Sequence, residues 1–337
     1  MKLYFSSRIV ASLTLLPFLC SPSNHVNAQL LREAATSPVE MVVSANNLAT
    51  DAGKAVLAAG GTAVDAMIAV QTVLGLVEPQ SSGIAGGAFA VYYDGTTGEL
   101  TTYDGREKAP AEATETRFQM EDGTSMDFND AWQSALSVGA SGVPRLMEEM
   151  HGKYGVLPWA DLFEEAKRLA TDGFNFTQRT EDNANELLEM NESCEDGERL
   201  FFRDPVAFDY FINADDCTAK SAGYVTGRQP RTTQSSLLIL LTLNNPLFYR
   251  TFVTNPEYAA TMEAIATGGA DAFYTGEIAE DIISKVASDR NPTGDPLLTL
   301  QDLADYEVIE RTPVCKMYRD MYDICGMPPP SSGALGE

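Results

Sequence analysis

At 337 residues, the chain is long enough to bury a sizeable core in one large domain or two ordinary ones. Its composition is globular, with 44% apolar and 21% charged residues, which excludes a largely disordered chain. The net charge of −25 argues strongly against binding to nucleic acid, which needs basic patches, and it disfavours docking on anionic lipid.

The first 28 residues have the pattern of an export signal. A positively charged start, "MKLYFSSR", precedes the apolar "IVASLTLLPFL", and small residues in "VNA" precede a cut between Ala28 and Gln29. The apolar run is short for a membrane span, so an uncleaved anchor is the lesser alternative, and a lipoprotein at Cys20 is disfavoured further because "PFLC" lacks small residues. We therefore expect a secreted protein, extracellular or periplasmic, that contacts a membrane only if the signal stays attached. Cleavage removes two basic residues and no acid, which gives a net charge of −27.

The next elements are two helices, predicted in "LATDAGKAVLAAGGTAVDAMIAVQTVLGLVEP". Gly60 and Gly61 separate them, because glycine is a common helix stop, and Thr62 is suited to cap the second helix. Apolar residues cover most of the circumference of the second helix, a pattern typical of a buried helix.

A glycine-rich segment then leads into two strands in "SSGIAGGAFAVYYDGTTGELTTYDGRE", at about residues 88–93 and 99–104. The cluster Gly83, Gly86 and Gly87 could form a phosphate loop. No Lys-Ser/Thr pair follows it, however, and a strand rather than a helix comes next. We therefore expect glycine here because backbones approach closely.

The remaining chain predicts a mixture of helices and strands. Residues 144–173 are predicted as helix, turn, helix, and residues 178–230 as a loop-rich stretch. One helix is expected in "EYAATMEAIATGG" and one in "AFYTGEIAEDIISKVA", and "LTLQDLADYEVIERTPVC" predicts a short helix leading into a strand. This order favours strands paired with strands rather than alternating βαβ units.

Four cysteines remain after cleavage: Cys194, Cys217, Cys315 and Cys325. In an exported protein an even number indicates disulfides, with three possible pairings. We favour Cys315 with Cys325, because a three-residue turn at residues 319–321 would set them opposite each other on a hairpin. The alternative is that these two are independent buried thiols.

Read locally, the sequence shows no complete catalytic set. His151 is the only histidine after cleavage, which excludes a histidine-rich metal site and argues against a Ser-His-Asp triad. His151 stands at a helix end before Gly152, where we expect a solvated or capping role. Paired carboxylates of the glycosidase type stay open among so many acids, but abundance alone gives them no support. We predict no metal site.

One cation occupies an unusual position. In "TTYDGREKAP", Arg106 follows a strand-like run in a very acidic chain. Taken alone, such a residue indicates either a surface ion pair or an arginine that binds a carboxylate of a ligand.

Six stretches of the sequence, in this order, resemble the gamma-glutamyltransferase family. They cover most of residues 41–333 and are "MVVSANNLATDAGKAVLAAGGTAVDAMIAVQTVLGLVEPQSSGIAGGAFAVYYD", "DGREKAP", "YGVLPWADLFEEAKRLATDGF", "NPEYAATMEAIATGGADAFYTGEIAEDI", "LTLQDLADYEVIERTPV" and "GMPPPSSG". Each is weak alone, whereas six in sequence are specific.

The resemblance implies an α+β fold, the Ntn-hydrolase αββα four-layer sandwich. It also implies a proenzyme that cuts itself into a large and a small subunit, with a new N-terminal threonine as nucleophile and its own amine as base. The reaction is cleavage of γ-glutamyl amides such as glutathione, with transfer of the glutamyl group to water or an amine. It needs no cofactor.

The resemblance also assigns Arg106 as the ligand of the glutamyl α-carboxylate, in the position of the family's "DGRE" type arginine. A planar guanidinium can grip a carboxylate with two parallel hydrogen bonds, and a rigid, desolvated site would strengthen the pairing. Glu107 is interpreted as structural. The sequence departs from the family pattern at Gln80 and Ala85, and residues 231–251 match nothing in the family, as a real insertion or an artefact of gene prediction.

The threonine-led motif of the small subunit is not found in these 337 residues. We therefore expect a signal peptide at residues 1–28 and, at 29–337, a large-subunit region truncated before the catalytic small subunit, which would be its partner. Catalytic residues are not expected in this stretch. The alternatives are a truncated, inactive member that binds γ-glutamyl peptides or a partner, and a family acylase acting on another amide.

N-glycosylation is expected if the host is eukaryotic. Asn175 in "NFT" and Asn191 in "NES" are acceptor positions, whereas proline blocks "NPT" at Asn291.

Overall fold

The computed structural model describes residues 36–190, 194–195, 201, 204–222, 225–226, 248–249 and 252–333. The chain divides into two compact units, Met1–Val39 and Glu40–Glu337. In the first unit the described part, residues 36–39, has neither helix nor strand. The predicted signal peptide, Asn191 and nearly all of residues 231–251 lie outside the described ranges.

All the helices and strands described below belong to the second unit, and every described strand pair is antiparallel. The helices are α1 (Asn47–Ala58), α2 (Ala63–Val77), α3 (Phe128–Trp132), α4 (Val143–Tyr154), α5 (Glu164–Asp172), α6 (Gln178–Glu189), α7 (Pro205–Phe211), α8 (Pro256–Gly268), α9 (Asp271–Tyr274), α10 (Glu277–Ser288) and α11 (Leu300–Ala304). Short 3-10 helices occupy Ala135–Ser137 and Trp159–Phe163. The strands are β1 (Ala88–Tyr93), β2 (Leu100–Gly105), β3 (Phe174–Asn175), β4 (Ile212–Asn213), β5 (Thr218–Ala219), β6 (Val225–Thr226), β7 (Phe248–Tyr249), β8 (Phe252–Val253), β9 (Ile309–Arg311), β10 (Val314–Tyr318) and β11 (Tyr322–Gly326).

Helices α1 and α2 form as the sequence predicts. Gly60 has a φ of +89°, the left-handed conformation that favours glycine, and ends the first helix. Thr62 caps α2: its side chain accepts from Asp65 N at 3.2 Å, while the Asp65 carboxylate accepts from Thr62 N at 2.8 Å. This reciprocal capping box satisfies two backbone donors that would otherwise lack a partner at the start of α2.

The core forms around α2, which packs against α1, α4 and α5. Ile68, Val73 and Leu76 on α2 are at most 2% exposed, which confirms that the helix is buried. Large buried residues from other elements complete the core, among them Tyr103, Phe163, Met262, Ile265, Phe273 and Tyr274.

The largest described sheet has the strand order β1-β2-β9. β1 and β2 pair along their full length, from Ala88 opposite Gly105 to Tyr93 opposite Leu100. β9 adds to the other edge of β2, where Thr102 Oγ1 donates to Arg311 O at 2.7 Å. β2 is therefore the central strand, and Arg106 is the first residue after it.

The predicted loop over residues 178–230 is wrong in part, because α6 and α7 lie in it. The Thr177 side chain caps α6 by accepting from Thr180 N, and the buried Thr180 and Ala184 give α6 one inward face. Asp204 caps α7 by accepting from two backbone amides. The many acids in this region obscure that short apolar pattern in the sequence.

One other boundary differs from the prediction. The single helix expected in "AFYTGEIAEDIISKVA" is two helices, α9 and α10, because Gly276 between them has a φ of +78°. The predicted hairpin is confirmed: β10 and β11 pair with Cys315 opposite Cys325 and are joined by a turn at residues 319–321.

Candidate functional site

Arg106 has a fixed backbone and an exposed side chain. Its N–H donates to Oδ1 of Asp104 at 3.1 Å, and its carbonyl accepts from the Tyr306 hydroxyl at 2.7 Å. The guanidinium carbon lies 6.0 Å from the centroid of the Phe89 ring, and Nη1 donates to Pro330 O at 3.4 Å. Within the described residues this is the one hydrogen bond recorded for the guanidinium, which has five N–H donors.

A surface ion pair is the alternative interpretation of Arg106. In the described part of the chain, no carboxylate pairs with its guanidinium. The buried Asp104 is engaged elsewhere, since its Oδ2 accepts from Arg311 Nε at 2.8 Å. The described residues do not enclose Arg106 either, so the desolvated site that we expected around it is not formed by them.

Three backbone segments meet at the end of β2. Gly142 N and Val143 N both donate to Gly86 O, at 2.9 and 3.1 Å. Lys108 and Ala140 exchange two backbone hydrogen bonds, at 3.0 and 2.8 Å. These bonds tie the segment that carries Arg106 to the glycine-rich turn and to the start of α4, which limits backbone motion at the site.

Glycine is required where these segments touch. A Cβ on Gly142 would overlap the carbonyl oxygen of Gly105 and the hydroxyl of Tyr306. A Cβ on Gly87 would lie 2.5 Å from Oε2 of Glu107 and 2.8 Å from its backbone nitrogen. Close backbone approach is thus confirmed at Gly87. The prediction of close backbone approach is wrong at Gly83, where a Cβ would meet nothing within 4 Å.

Tyr306 supports Arg106 from the segment between α11 and β9. Its ring stacks on Tyr274, with centroids 5.7 Å apart and planes inclined by 8°, and the Lys108 ammonium lies 4.9 Å from its centroid. Burial raises the pKa of the Tyr306 phenol above its usual range, so the hydroxyl keeps its proton at neutral pH. Tyr306 can therefore donate continuously to the Arg106 carbonyl.

His151 has a structural position at the end of α4. Its Nε2 lies 2.9 Å from Leu157 O and 3.7 Å from Oδ1 of the buried Asp65, and its ring packs on Trp159. The side chain is 20% exposed, so His151 is partly solvated. The contact with Leu157 O supports the capping alternative, because it closes the turn that follows α4.

The other predicted site residues lie in separate parts of the structure. The structure joins Cys315 to Cys325 with Cα atoms 4.1 Å apart, and Cys194 to Cys217 with Cα atoms 6.2 Å apart. Asn175 is exposed on β3.

Two kinds of feature are absent from the described residues. They hold no group of three or more histidine, cysteine or acidic side chains that could bind a metal ion. None of their helices has the length and apolar character needed to cross a membrane.

Sequence reasoning missed the partners of Arg106. Tyr306 and Pro330 are 200 and 224 residues away along the chain, and no local pattern distinguishes them. Gly142 had one available signal: it lies two residues before Pro144, where the predicted helix begins, and glycine is modestly enriched just before a helix.

Comparison with known proteins gives one consistent result. A family model described as Gamma-glutamyltranspeptidase matches residues 49–336. The chain is 30% identical over 295 residues to the glutathione hydrolase proenzyme of Bacillus subtilis (strain 168), covering 88% of this chain and 42% of that protein. It is also 30% identical over 295 residues to the glutathione hydrolase proenzyme of Escherichia coli (strain K12), covering 88% and 43%. The chain thus spans about two fifths of the length of these relatives.

A structural likeness agrees with the sequence matches. The crystal structure of Helicobacter pylori gamma-glutamyltranspeptidase superposes with a TM-score of 0.71 at 29% identity, covering 89% of this chain and 73% of that one. This likeness confirms the predicted fold class, α+β of the Ntn-hydrolase type.

Proposed function

Because the chain belongs to the gamma-glutamyltranspeptidase family, we propose that it is the large-subunit region of an enzyme that cleaves γ-glutamyl amide bonds. Its substrates are glutathione and γ-glutamyl conjugates, and the glutamyl group passes to water or to the amine of an amino acid or peptide. Relatives named glutathione hydrolase, at about 30% identity, support these substrates over the acylase and inactive-member alternatives. In this proposal residues 1–28 are the export signal and residues 29–337 the large-subunit region.

The observation that carries the proposal is the state of Arg106: its peptide N–H and carbonyl are both hydrogen-bonded, and among the described residues its guanidinium makes one hydrogen bond and no ion pair. A carboxylate can accept two parallel hydrogen bonds from such a guanidinium, which fixes its orientation as well as its position. We assign this role to the α-carboxylate of the glutamyl group. Pro330 O and the Phe89 ring, which contact the guanidinium, then set the direction in which it points.

The reacting amide lies at the opposite end of the glutamyl group from its α-carboxylate. Holding the carboxylate at Arg106 therefore positions the γ-carbonyl for a nucleophile, and such positioning lowers the entropy cost of the attack. The nucleophile in this proposal is the N-terminal threonine of the small subunit, in a segment outside these 337 residues. It forms a γ-glutamyl ester that water or an amine then releases, without a cofactor.

Location and partners follow from the same proposal. The export pattern at residues 1–28 supports an extracellular or periplasmic enzyme. The small subunit of the same proenzyme is its protein partner, and the strongly acidic composition supports a small-molecule substrate rather than nucleic acid.

Expression of the complete reading frame tests the proposal. The full product should cut itself into two chains and release glutamate from glutathione or an anilide from a γ-glutamyl anilide, whereas residues 29–337 alone should do neither. A full product that shows no γ-glutamyl turnover contradicts the proposal. Turnover by the 337-residue chain alone contradicts the placement of the nucleophile.

A further inference from the structure

The hairpin formed by β10 and β11 carries an accessible disulfide. In the described residues these two strands pair only with each other, and most of their side chains are exposed. Met317 and Tyr322 are each 61% exposed. Cys315 is exposed and Cys325 half-buried, so the disulfide lies at the surface of the described part of the chain.

The second disulfide, between Cys194 and Cys217, provides a reference for exposure within the same protein. Cys194 packs against a small buried cluster formed by Ala184, Phe208, Ile212 and Ala219, and both Cys194 and Cys217 are half-buried. Exposed disulfides exchange with thiols more readily than shielded ones, because the attacking thiolate must reach a sulfur atom. The hairpin disulfide should therefore react first.

The hairpin leads directly to Arg106. Strand β11 ends at Gly326, and the chain continues through the buried Met327 into a turn at residues 328–331, closed by a bond from Ser331 N to Pro328 O at 3.1 Å. Pro330 in this turn accepts the hydrogen bond from the Arg106 guanidinium. Gly333 then packs back on the strand end, since a Cβ there would lie 2.6 Å from Met327 O. Four residues thus separate Cys325 from Pro330, whose carbonyl accepts the hydrogen bond from Arg106.

We propose that the Cys315–Cys325 disulfide is a thiol-exchange site, at which a glutathione-type thiol controls the position of Pro330 and thereby the affinity of Arg106 for a carboxylate. The control of affinity rests on the proposed function of Arg106, whereas the exchange itself does not. A thiol at this site also has a chemical source, since the proposed substrate glutathione is itself a thiol.

The exchange is a two-step reduction. The thiolate of a small thiol attacks one cysteine sulfur, the S–S bond breaks, and the other cysteine leaves as a thiolate, which takes up a proton. A second small thiolate attacks the resulting mixed disulfide and releases the remaining cysteine thiolate, which is also protonated. Two small thiols become one small disulfide, and the protein disulfide gains two electrons and two protons.

The first experiment needs no enzyme activity. The complete protein is equilibrated in buffers with rising ratios of 2-mercaptoethanol to its disulfide, because glutathione would be consumed as substrate, and is then quenched, alkylated and mapped by mass spectrometry. We expect alkylation at Cys315 and Cys325 at ratios that leave Cys194 bonded to Cys217. A hairpin disulfide that opens only together with the other one overturns the proposed exchange site.

Hydrogen exchange then tests the link to the turn. In the selectively reduced protein, the amides of Met327 and residues 331–333 should exchange faster, while those of α4 stay unchanged. Equal exchange at Met327 and residues 331–333 in both redox states overturns the control of Pro330.

The activity measurement uses dithiothreitol as reductant, because glutathione would be consumed as substrate. Reduction, or the double variant C315S/C325S, should raise KM for a γ-glutamyl anilide about three- to tenfold, the range for losing one hydrogen bond, with kcat little changed. The control variant C194S/C217S should keep the wild-type KM and its response to dithiothreitol. If the serine variant fails to fold, wild-type protein that regains its KM on reoxidation provides the same test.

The outcomes separate the two proposals. An unchanged KM in a protein whose hairpin is reduced overturns the effect on Arg106. A complete wild-type protein without γ-glutamyl turnover contradicts the proposed function, while mapping and hydrogen exchange still decide whether the disulfide exchanges and moves the turn.

Discussion

Arg106 combines a backbone that is held by hydrogen bonds with a guanidinium that is exposed. Asp104 and Tyr306 hold its peptide groups, and Pro330 O is the one acceptor recorded for its guanidinium in the described residues. An exposed pair between such an arginine and a carboxylate contributes about 0–1 kcal/mol, whereas a buried pair that loses one partner costs about 3–5 kcal/mol. The loss of kcat/KM when the Arg106 side chain is removed therefore indicates whether the complete enzyme encloses the carboxylate site.

Arg106→Ala in the complete enzyme should lower kcat/KM by about 3 kcal/mol, roughly a hundredfold, because the substrate carboxylate loses its partner in an enclosed site. Self-cleavage should remain normal, since a carboxylate grip has no part in scission of the processing site. Steady-state kinetics with a γ-glutamyl anilide and gel analysis of subunit formation measure both.

Arg106→Lys is the matched variant. It should recover only part of the loss, because an ammonium cannot form the two parallel hydrogen bonds of a guanidinium. Near-normal kcat/KM in Arg106→Ala would return this residue to a surface role.

At the scale of elements, the side chain that completes the capping box of α2 also binds the turn after α4. Asp65 is fully buried, and besides Thr62 N its carboxylate accepts from Val156 N at 3.1 Å and Leu157 N at 3.3 Å. One side chain thus closes the start of α2 and holds the turn after α4. Its removal leaves several buried amides without an acceptor.

Asp65→Ala should destabilise the protein by about 2–3 kcal/mol, the scale of a lost cap together with hydrogen bonds to a charged group. Asp51→Ala, at an exposed acid on α1, should change stability by less than about 0.5 kcal/mol. Urea denaturation followed by circular dichroism measures both. Equal losses in the two variants would mean that the Asp65 contacts do not matter.

Gly142 allows two elements to pack closely, because it lies where the end of β2 contacts the start of α4. Gly142→Ala should lower the melting temperature or prevent soluble expression, since its Cβ would overlap the backbone of Gly105. Gly152→Ala, in α4, is the control: its Cβ would meet nothing within 4 Å, and alanine in a helix favours folding by about 0.5–1 kcal/mol. A Gly142→Ala protein that melts at or above the wild-type temperature would contradict the close packing at this junction.

At the scale of the whole molecule, the predicted export signal would determine where the mature protein begins and in which redox environment it folds. We expect mass spectrometry of protein from its native host to find Gln29 at or near the N-terminus, because the charged, apolar and small-residue parts of a signal are all present. Detection of Met1 on that protein would contradict export by cleavage.

Export from a eukaryotic cell would also modify Asn175. Its side chain is exposed on β3, so an attached glycan would extend into solvent. Glycosidase treatment should increase gel mobility, and Asn175→Gln should reduce the number of glycans by one. Unchanged mobility of the wild-type protein after treatment would contradict the prediction.

Features that depend on neighbouring residues can be predicted from the amino-acid sequence. The α1–α2 pair, the stop at Gly60, the cap at Thr62 and the β10–β11 hairpin all form as predicted. Helix periodicity, glycine conformation and turn length act over a few residues, so a local pattern contains the information. Arg106 could be selected from the sequence because its motif is local and resembles that of a family.

The surroundings of Arg106, by contrast, depend on long-range packing. Tyr306 and Pro330 form hydrogen bonds with Arg106, and Gly142 packs against the preceding Gly105. These contacts come from three distant segments and depend on how β2, α4 and the end of β11 pack together. The split between α9 and α10 was also missed, because it depends on one backbone angle, at Gly276. Helix α6 was missed because only a short face of it is buried. Hydrophobic pattern specifies which residues are buried, but steric fit between distant segments specifies which of them meet, and that fit exists only in the folded chain.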